Sequence, residues 1–376
     1  ATTFQFQYGA TAAAWATGNN LNTARGSLAG AGTQTAGLAF GGDTGPAASA
    51  LTESYNGTNW TEVGDLNTAR PALAGAGTNT AALAFGGQPV TAVTELWNGT
   101  NWTEVNNLGT ARYYLGGAGT STAALAFGGY SGTASLNATE TWNGTNWTAV
   151  NNLNTSRYNV SGAGTNTSAL AIGGTPTANA IELWNGTNWT VVNNLNTPRQ
   201  AGAAAGVSNT SALFFSGYDP SPPAGGTAKT ESWNGTNWTE TADLNTNRRY
   251  LGGAGTQTSA LAFGGGPSIT AATEEFNTGV AVGAWSTGGS LGTGRYNVAG
   301  CGTQTAALAF GGQGVNDETE SYNGSSWTEL NDMNVGRNRL AGVGIQTAAL
   351  AFGGVPTPSI ALTELWNGTN WAEVND

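Results

Sequence analysis

The chain has 376 residues, a formal net charge of −11 and only 11 Lys and Arg, a balance that excludes the basic surface a nucleic-acid partner requires. The chain contains no histidine, which excludes imidazole metal sites and Ser-His-Asp triads, and we expect no metal or cofactor. Its single cysteine excludes a disulfide within the chain. No apolar run approaches the ~18 residues of a membrane span, and we expect no membrane insertion.

The first predicted element is the stretch 4–17, FQFQYGATAAAWAT. Its pattern predicts two paired strands, with Tyr8 and Trp15 at the positions that aromatic residues occupy in the paired strands of the later repeats. No strand of small residues precedes it, so it stands outside the repeats that follow. We predict an extra N-terminal hairpin or cap in residues 1–20. Three roles stay open for it: a cap, a strand pair added to a neighbouring subunit, or the remnant of a longer array.

From residue 21 onward one unit recurs eight times, spaced 42 to 49 residues apart at its arginines, Arg25, Arg70, Arg112, Arg157, Arg199, Arg248, Arg295 and Arg337. This period is that of a four-stranded propeller blade. In one unit we predict strands at 113–119, 123–127, 138–142 and 146–150. The sequence therefore predicts an all-β propeller of eight four-stranded blades over residues 21–376.

The pentapeptide NGTNW occurs six times, for example at 56–60, and a seventh copy reads NGSSW. Asn-Gly between two strand-like runs predicts a hairpin, and a type I′ turn needs positive φ at both central residues. We therefore interpret the repeated pentapeptide as the turn between the third and fourth strands of a blade.

Each unit also carries a glutamate two residues before an aromatic of the third strand: Glu53, Glu95, Glu140, Glu182, Glu231, Glu274, Glu320 and Glu364. Residues i and i+2 of a strand share a face, so the carboxylate points toward the core. A buried carboxylate needs a partner, and the repeat arginine is the natural one. The alternative is a ring of carboxylates for acid–base chemistry or metal binding.

The motifs LAFGG (83–87) with Trp97 and Trp102, and LAFGG (350–354) with Trp366 and Trp371, make the units similar to kelch repeats. The resemblance implies a β-propeller, usually of six or seven blades. The departures are Ser216-Gly217 in place of Gly-Gly and the divergent stretch 277–285. More loosely, the uniform Ala, Gly, Thr and Asn-rich repeats resemble kelch-like proteins of marine phages, which implies a virion appendage.

The loops between the second and third strands, and the two residues after each repeat arginine, vary from unit to unit and are expected on one face. Tyrosine gives a rigid amphipathic contact surface, and function concentrates on variable loops of a rigid scaffold. We predict a ligand-binding face formed by Tyr113, Tyr114, Tyr130, Tyr158, Asn159, Tyr218, Asp219, Arg249, Tyr250, Tyr296, Asn297 and Arg339.

Three functions stay open on this reading. The favoured one is a non-enzymatic recognition or adhesion module that binds a glycan or a protein on a host or partner surface, located on a virion or outside the cell. The second is a structural protein that self-assembles as a coat or fibre, with homo-oligomers as its partners. The third is a glycan-active enzyme using loop carboxylates such as Asp43, Asp219, Asp317 and Glu318.

Overall fold

The structure is a computed structural model that describes residues 4–287, 290–303, 305–314, 317–355 and 361–374. These residues form 34 β-strands and no helix, and the described ranges accordingly offer no helix able to cross a membrane. The chain divides into two compact units, residues 12–280 and residues 1–11 with 281–376. The predicted all-β class and the eight four-stranded sheets are confirmed.

Six of these sheets, named blades 1 to 6, are formed by residues 4–287, most of which belong to the unit of residues 12–280. Every strand pair of known register in them is antiparallel. The chain starts with β1 (Phe4–Gly18). Blade 1 follows as β2 (Ala29–Thr33), β3 (Ala36–Phe40), β4 (Thr52–Tyr55) and β5 (Trp60–Glu62). Blade 2 is β6 (Ala74–Gly77), β7 (Ala82–Phe85), β8 (Thr94–Trp97) and β9 (Trp102–Val105). Blade 3 is β10 (Gly116–Gly119), β11 (Ala124–Phe127), β12 (Thr139–Trp142) and β13 (Trp147–Val150).

Blade 4 is β14 (Ser161–Gly164), β15 (Ala169–Ile172), β16 (Ile181–Trp184) and β17 (Trp189–Val192). The next strands are β18 (Ala203–Ser208), β19 (Ser211–Phe215), the small loop hairpin β20 (Tyr218–Asp219) and β21 (Gly225–Gly226), β22 (Thr230–Trp233) and β23 (Trp238–Glu240). Blade 5 contains β18, β19, β22 and β23. Blade 6 contains β24 (Gly252–Gly255), β25 (Ser259–Phe263), β26 (Thr273–Thr287) and, as its outermost strand, β1.

The core of this unit lies between neighbouring blades, and the small residues of each innermost strand make that packing possible. Gly75 on β6 lies against the ring of Phe40 in blade 1, and a Cβ there would sit 2.5 Å from Phe40 Cζ. Phe40 in turn packs on Trp102 of blade 2, with ring centroids 4.9 Å apart. Because atoms at the axis are crowded and the outer space is wide, glycine occupies the inner strand and tryptophan the outer one.

The ring of blades closes at six. The second residue after each repeat arginine donates its backbone N–H to the carbonyl of its counterpart in the preceding blade, at 2.8 to 3.1 Å. The donors and acceptors form one circle: Ala72 to Ser27, Tyr114 to Ala72, Asn159 to Tyr114, Ala201 to Asn159, Tyr250 to Ala201 and Ser27 to Tyr250. Six of the eight predicted blades therefore make up the closed propeller of residues 12–280.

The predicted N-terminal hairpin is wrong, because residues 4–18 form one continuous strand that completes blade 6. Trp15 takes the place of the outer-strand tryptophan: its Nε1 donates to the Thr230 hydroxyl of blade 5 at 3.2 Å. Its ring lies 5.1 Å from that of Phe276. The reason is the divergent stretch 277–285, where β26 runs straight on instead of turning. Blade 6 takes its fourth strand from the start of the chain.

The repeated NGTNW is the predicted hairpin turn, but the predicted type I′ geometry is wrong. Gly57 has a φ of +89°, whereas Asn56 does not adopt positive φ. The loop runs over four residues, closed by a bond from the Asn56 N–H to the Asn59 carbonyl at 3.2 Å. The Asn56 side chain accepts the N–H groups of Thr58 and Asn59, at 3.0 and 2.8 Å. The asparagine thus shapes the turn through its side chain.

The unit formed by residues 1–11 and 281–376 contains two further four-stranded sheets. Sheet 7 is β27 (Ala299–Thr303), β28 (Ala306–Phe310), β29 (Thr319–Tyr322) and β30 (Trp327–Glu329). Sheet 8 is β31 (Ala341–Ile345), β32 (Ala348–Phe352), β33 (Thr363–Trp366) and β34 (Trp371–Val374). They pack on each other as neighbouring blades do, with the rings of Phe310 and Trp371 4.9 Å apart.

The predicted arginine–glutamate pair is confirmed in all eight repeats. Seven pairs have nitrogen–oxygen distances of 2.6 to 3.1 Å, and Arg70 pairs with Glu95 in the same way. Arg112 also donates to the Ala138 carbonyl at 2.7 Å, and Glu140 accepts the Gly109 N–H at 2.6 Å. Burial lowers the pKa of the Arg112 guanidinium to about 10, although Glu140 opposes this shift. The pairs tie the start of each innermost strand to the middle of its own blade.

We expect Arg112→Ala to destabilise the propeller by about 3–5 kcal/mol, because it leaves the Glu140 carboxylate buried without its cation. Denaturant unfolding followed by tryptophan fluorescence measures the loss. The control is Lys229→Ala, which removes an exposed ion pair with Glu240 and is expected to change stability little. Equal unfolding midpoints for wild type and Arg112→Ala would contradict the structural role.

We expect Trp15→Ala to destabilise the propeller by about 3–5 kcal/mol, because the indole fills the space between blades 5 and 6. Thermal unfolding followed by near-UV circular dichroism checks this. Val191→Ala, at an exposed outer-strand position, serves as control. A Trp15→Ala protein as stable as the control would mean that β1 does not close the ring.

Candidate binding face

The residues that follow the repeat arginines lie beside the loops that follow the second strands. Tyr113 pairs with Tyr130 as an isolated antiparallel bridge, and Gln200 pairs with Tyr218 in the same way. Each blade of the propeller thus brings one residue from the start of its inner strand next to one residue of its variable loop. These paired positions, together with the six ring residues described above, form what we call the loop face.

The six ring residues have a left-handed backbone, with φ between 51° and 58°. This conformation costs a non-glycine residue roughly 1–2 kcal/mol, and the closed circle of backbone bonds holds it. They surround a cavity of about 80 Å³ at the propeller axis, lined also by Leu28, Leu73, Leu115, Val160 and Leu251. Pockets that enclose small molecules usually measure roughly 300–1,000 Å³. The axial cavity is therefore too small to enclose such a ligand.

Five tyrosines of the loop face form one continuous cluster. Tyr113 contacts Tyr114 and Tyr130, with ring centroids 5.1 and 5.6 Å apart. Tyr158 lies 5.1 Å from Tyr130 and 6.4 Å from Tyr114. Tyr250 joins the cluster 5.7 Å from Tyr114. All five rings are half-buried, so each is held by its neighbours while keeping one part accessible.

Arg249 extends the tyrosine cluster with a positive charge. Its guanidinium carbon lies 5.1 Å from the ring centroid of Tyr218 and 5.8 Å from that of Tyr250, which is the range of cation–π attraction. Arg249 and Asp43 line a cavity of about 210 Å³ between blades 6 and 1. The loop face therefore combines aromatic rings in tilted and edge-on contact with the half-buried cation of Arg249.

Two polar groups at the mouth of the axis stand out. Burial raises the pKa of the Tyr114 phenol to about 12, with further contributions from the neighbouring Tyr250 and Tyr113. The Asn159 Oδ1 atom is buried and accepts no hydrogen bond within the described residues, while its Nδ2 donates weakly to Gln200 at 3.4 Å. A neutral phenol and an acceptor without a donor are suited to hydrogen bonding with a polar ligand.

The structure brings together nine of the twelve predicted site residues within the unit of residues 12–280: Tyr113, Tyr114, Tyr130, Tyr158, Asn159, Tyr218, Asp219, Arg249 and Tyr250. Tyr296, Asn297 and Arg339 belong to the other unit and are exposed there. The sequence could not separate these two groups, since both occupy the same positions of the repeat.

Sequence reasoning missed a groove on the same face. It has a volume of about 470 Å³ and is lined by Ala48, Pro71, Gln88, Pro89, Val90 and Tyr113. Gln88, Pro89 and Val90 of this lining belong to the variable loop QPVTAV, whereas the predicted ligand-binding face rested mainly on tyrosines. The groove gives the tyrosine cluster an apolar continuation toward blades 1 and 2.

Carboxylates near this face are engaged in local structure. Asp219 accepts the Ser221 N–H at 2.8 Å and Asp43 accepts the Gly45 N–H at 3.3 Å, which are turn-forming bonds. Among the residues that the structure describes, no three Cys, Asp or Glu side chains gather in a way that could hold a metal ion.

Neither a protein-family model nor a curated protein matches the chain. Among solved structures, one titled "Structure of YjhT" matches with a TM-score of 0.56 and 12% sequence identity, over 69% of this chain and 96% of that chain. At such low identity the likeness shows the fold alone.

The raised pKa of Tyr114 predicts a specific loss of stability in alkali. An unfolded tyrosine titrates near pH 10, so the stability from keeping the phenol neutral is fully present below about pH 10. It is lost as the pH rises through about 12. Denaturant unfolding at several pH values should show a steeper alkaline loss for wild type than for Tyr114→Phe. Parallel pH profiles would contradict the buried position of this phenol.

Proposed function

We propose that residues 12–280 form a non-enzymatic recognition module of the kelch type that binds a glycan across the loop face. The observation that carries the proposal is the continuous cluster of Tyr113, Tyr114, Tyr130, Tyr158 and Tyr250 around the axis. Five rings in contact, contributed by several blades, make a rigid surface that a packed β-structure holds without further ordering.

The chemistry of this surface favours a sugar ligand. Tyrosine offers an apolar ring for stacking and a hydroxyl for hydrogen bonding, at a low cost in conformational entropy. Pyranose rings present the same combination of C–H faces and hydroxyl groups. The narrow axial cavity supports a ligand that spans several blades, such as an oligosaccharide, over a small molecule enclosed in a pocket.

The carboxylates support binding without catalysis. Acid–base chemistry needs carboxyl groups that are available to a substrate. The eight repeat glutamates are each paired with a buried arginine, Glu318 contacts Arg295 at 2.8 Å, and Asp43 and Asp219 accept turn N–H groups. These groups already serve structural roles.

We further propose that the protein is displayed on a virion or outside the cell, where the glycan belongs to a host or partner surface. A shallow face on one copy binds a sugar modestly, and display of several copies raises the strength of attachment through avidity. The looser resemblance to kelch-like phage proteins supports this location.

A glycan-array screen of the purified chain tests the proposal, with Tyr113→Ala/Tyr130→Ala as the variant. We expect wild type to bind a defined set of glycans and the variant to lose at least about tenfold in apparent affinity, since it removes two stacking rings. Tyr296→Ala is the matched control, because it removes an exposed tyrosine of the other unit.

Binding that the control keeps and the variant loses would support recognition by the loop face. Equal binding by all three proteins would move the glycan site elsewhere. Absence of glycan binding together with capture of a surface protein that needs Tyr113 and Tyr130 would replace the glycan by a protein ligand.

A further inference from the structure

In the closed propeller every blade has two covered faces. The following face, which meets the next blade, carries the Leu and Phe of the second strand, such as Leu83 and Phe85, both fully buried. The preceding face, which meets the blade before, carries the inner-strand glycine and the indole Nε1 of the outer tryptophan. Trp102 Nε1, for example, donates to the Thr52 hydroxyl of blade 1 at 2.9 Å.

The following face of sheet 8 is open. Leu350 is 36% exposed, Phe352 42% and Val343 55%, at positions that are buried in the propeller. A Cβ added to Gly353 would meet nothing within 4 Å, whereas the equivalent Gly86 lies against the Arg112 carbonyl of the next blade. Within its own unit, no described sheet covers this face of sheet 8.

The preceding face of sheet 7 is open as well. Among the residues that the structure describes, a Cβ at Gly300 would meet only the Leu308 carbonyl of its own sheet, whereas one at the equivalent Gly342 would sit 2.4 Å from the Phe310 ring. Sheet 7 therefore lacks the neighbour that a Phe-bearing sheet provides.

We propose that a second copy of this chain covers these faces, the preceding face of its sheet 7 docking on the following face of sheet 8. The two surfaces are complementary, because the same two faces already meet where sheet 7 packs on sheet 8. The interface is heterologous, so each copy keeps one face for a third. Six such sheets close the propeller of residues 12–280, and each copy supplies two, so three copies close a ring.

The expected contacts follow from the seams already described. Phe352 packs on Trp327 of the partner subunit, as Phe310 packs on Trp371. The Asn297 N–H donates to a partner carbonyl, as the Arg339 N–H donates to the Asn297 carbonyl at 3.1 Å. The joined surfaces are apolar and glycine-rich, which is typical of obligate interfaces. This inference does not rest on the proposed glycan binding.

The test is the mass of the full chain in solution, measured by light scattering and native mass spectrometry over a wide range of concentration. We expect three times the chain mass of 37.8 kDa. Leu350→Asp/Phe352→Asp should give the monomer mass, because carboxylates cannot be buried in this seam. Val191→Asp, at a 60% exposed position of blade 4, should leave the mass unchanged. A wild-type monomer, a two-fold dimer or an open-ended polymer would overturn the closed trimer.

A complementation experiment keeps the proposal testable if a variant is poorly folded. Gly300→Trp fills the preceding face of sheet 7 and Phe352→Asp disrupts the following face of sheet 8. Each variant alone should be monomeric, and an equimolar mixture should give dimers, since one intact face of each kind remains. A mixture that stays monomeric would overturn the heterologous interface.

Discussion

A buried ion pair between the arginine that starts each innermost strand and a glutamate of the third strand sets the geometry of every repeat. Burial of two charges costs free energy, and here it is offset because the guanidinium also reaches backbone carbonyls and the carboxylate also accepts backbone N–H groups. The pair fixes the backbone just before the residue that turns into the left-handed region. That residue, in turn, makes the bond that joins one blade to the next. Closure of the ring depends on this chain of contacts.

The same arrangement determines where the loop face forms. Once the arginine is anchored, the two residues after it and the loop beside them emerge together at the axis, where rings from several blades come within 5 to 6.4 Å of each other. No single repeat builds this surface. Its ring contacts join successive repeats, as between Tyr114 and Tyr158, and repeats that are further apart in sequence, as between Tyr114 and Tyr250.

Much of the structure of each blade could be predicted from the sequence, because the residues that determine it lie within one repeat. The four strands and the Arg112–Glu140 type of pair follow from period and strand alternation. The tyrosines were predicted from the positions at which the repeats differ. The number of blades in the ring could not be predicted, because repeats of the same sequence pattern form sheets in both units. The role of β1 was hidden because its partner β26 is distant in the chain. The predicted turn type was wrong because the Asn56 side chain stabilises a turn in which only Gly57 has positive φ.

The circle of hydrogen bonds at the axis uses backbone groups only, so the side chains of its six residues are not needed for these bonds. Its six positions hold Ser27, Ala72, Tyr114, Asn159, Ala201 and Tyr250, and each contributes an N–H and a carbonyl to the seam whatever its side chain. Substitution at the half-buried positions, such as Tyr114 and Tyr250, alters the loop face and leaves these backbone bonds in place. Strength of the joint and chemistry of the face are therefore carried by different atoms of the same six residues, the main chain for one and the side chains for the other. Differences between the repeats can accumulate at this end of the axis while the joints between blades stay the same.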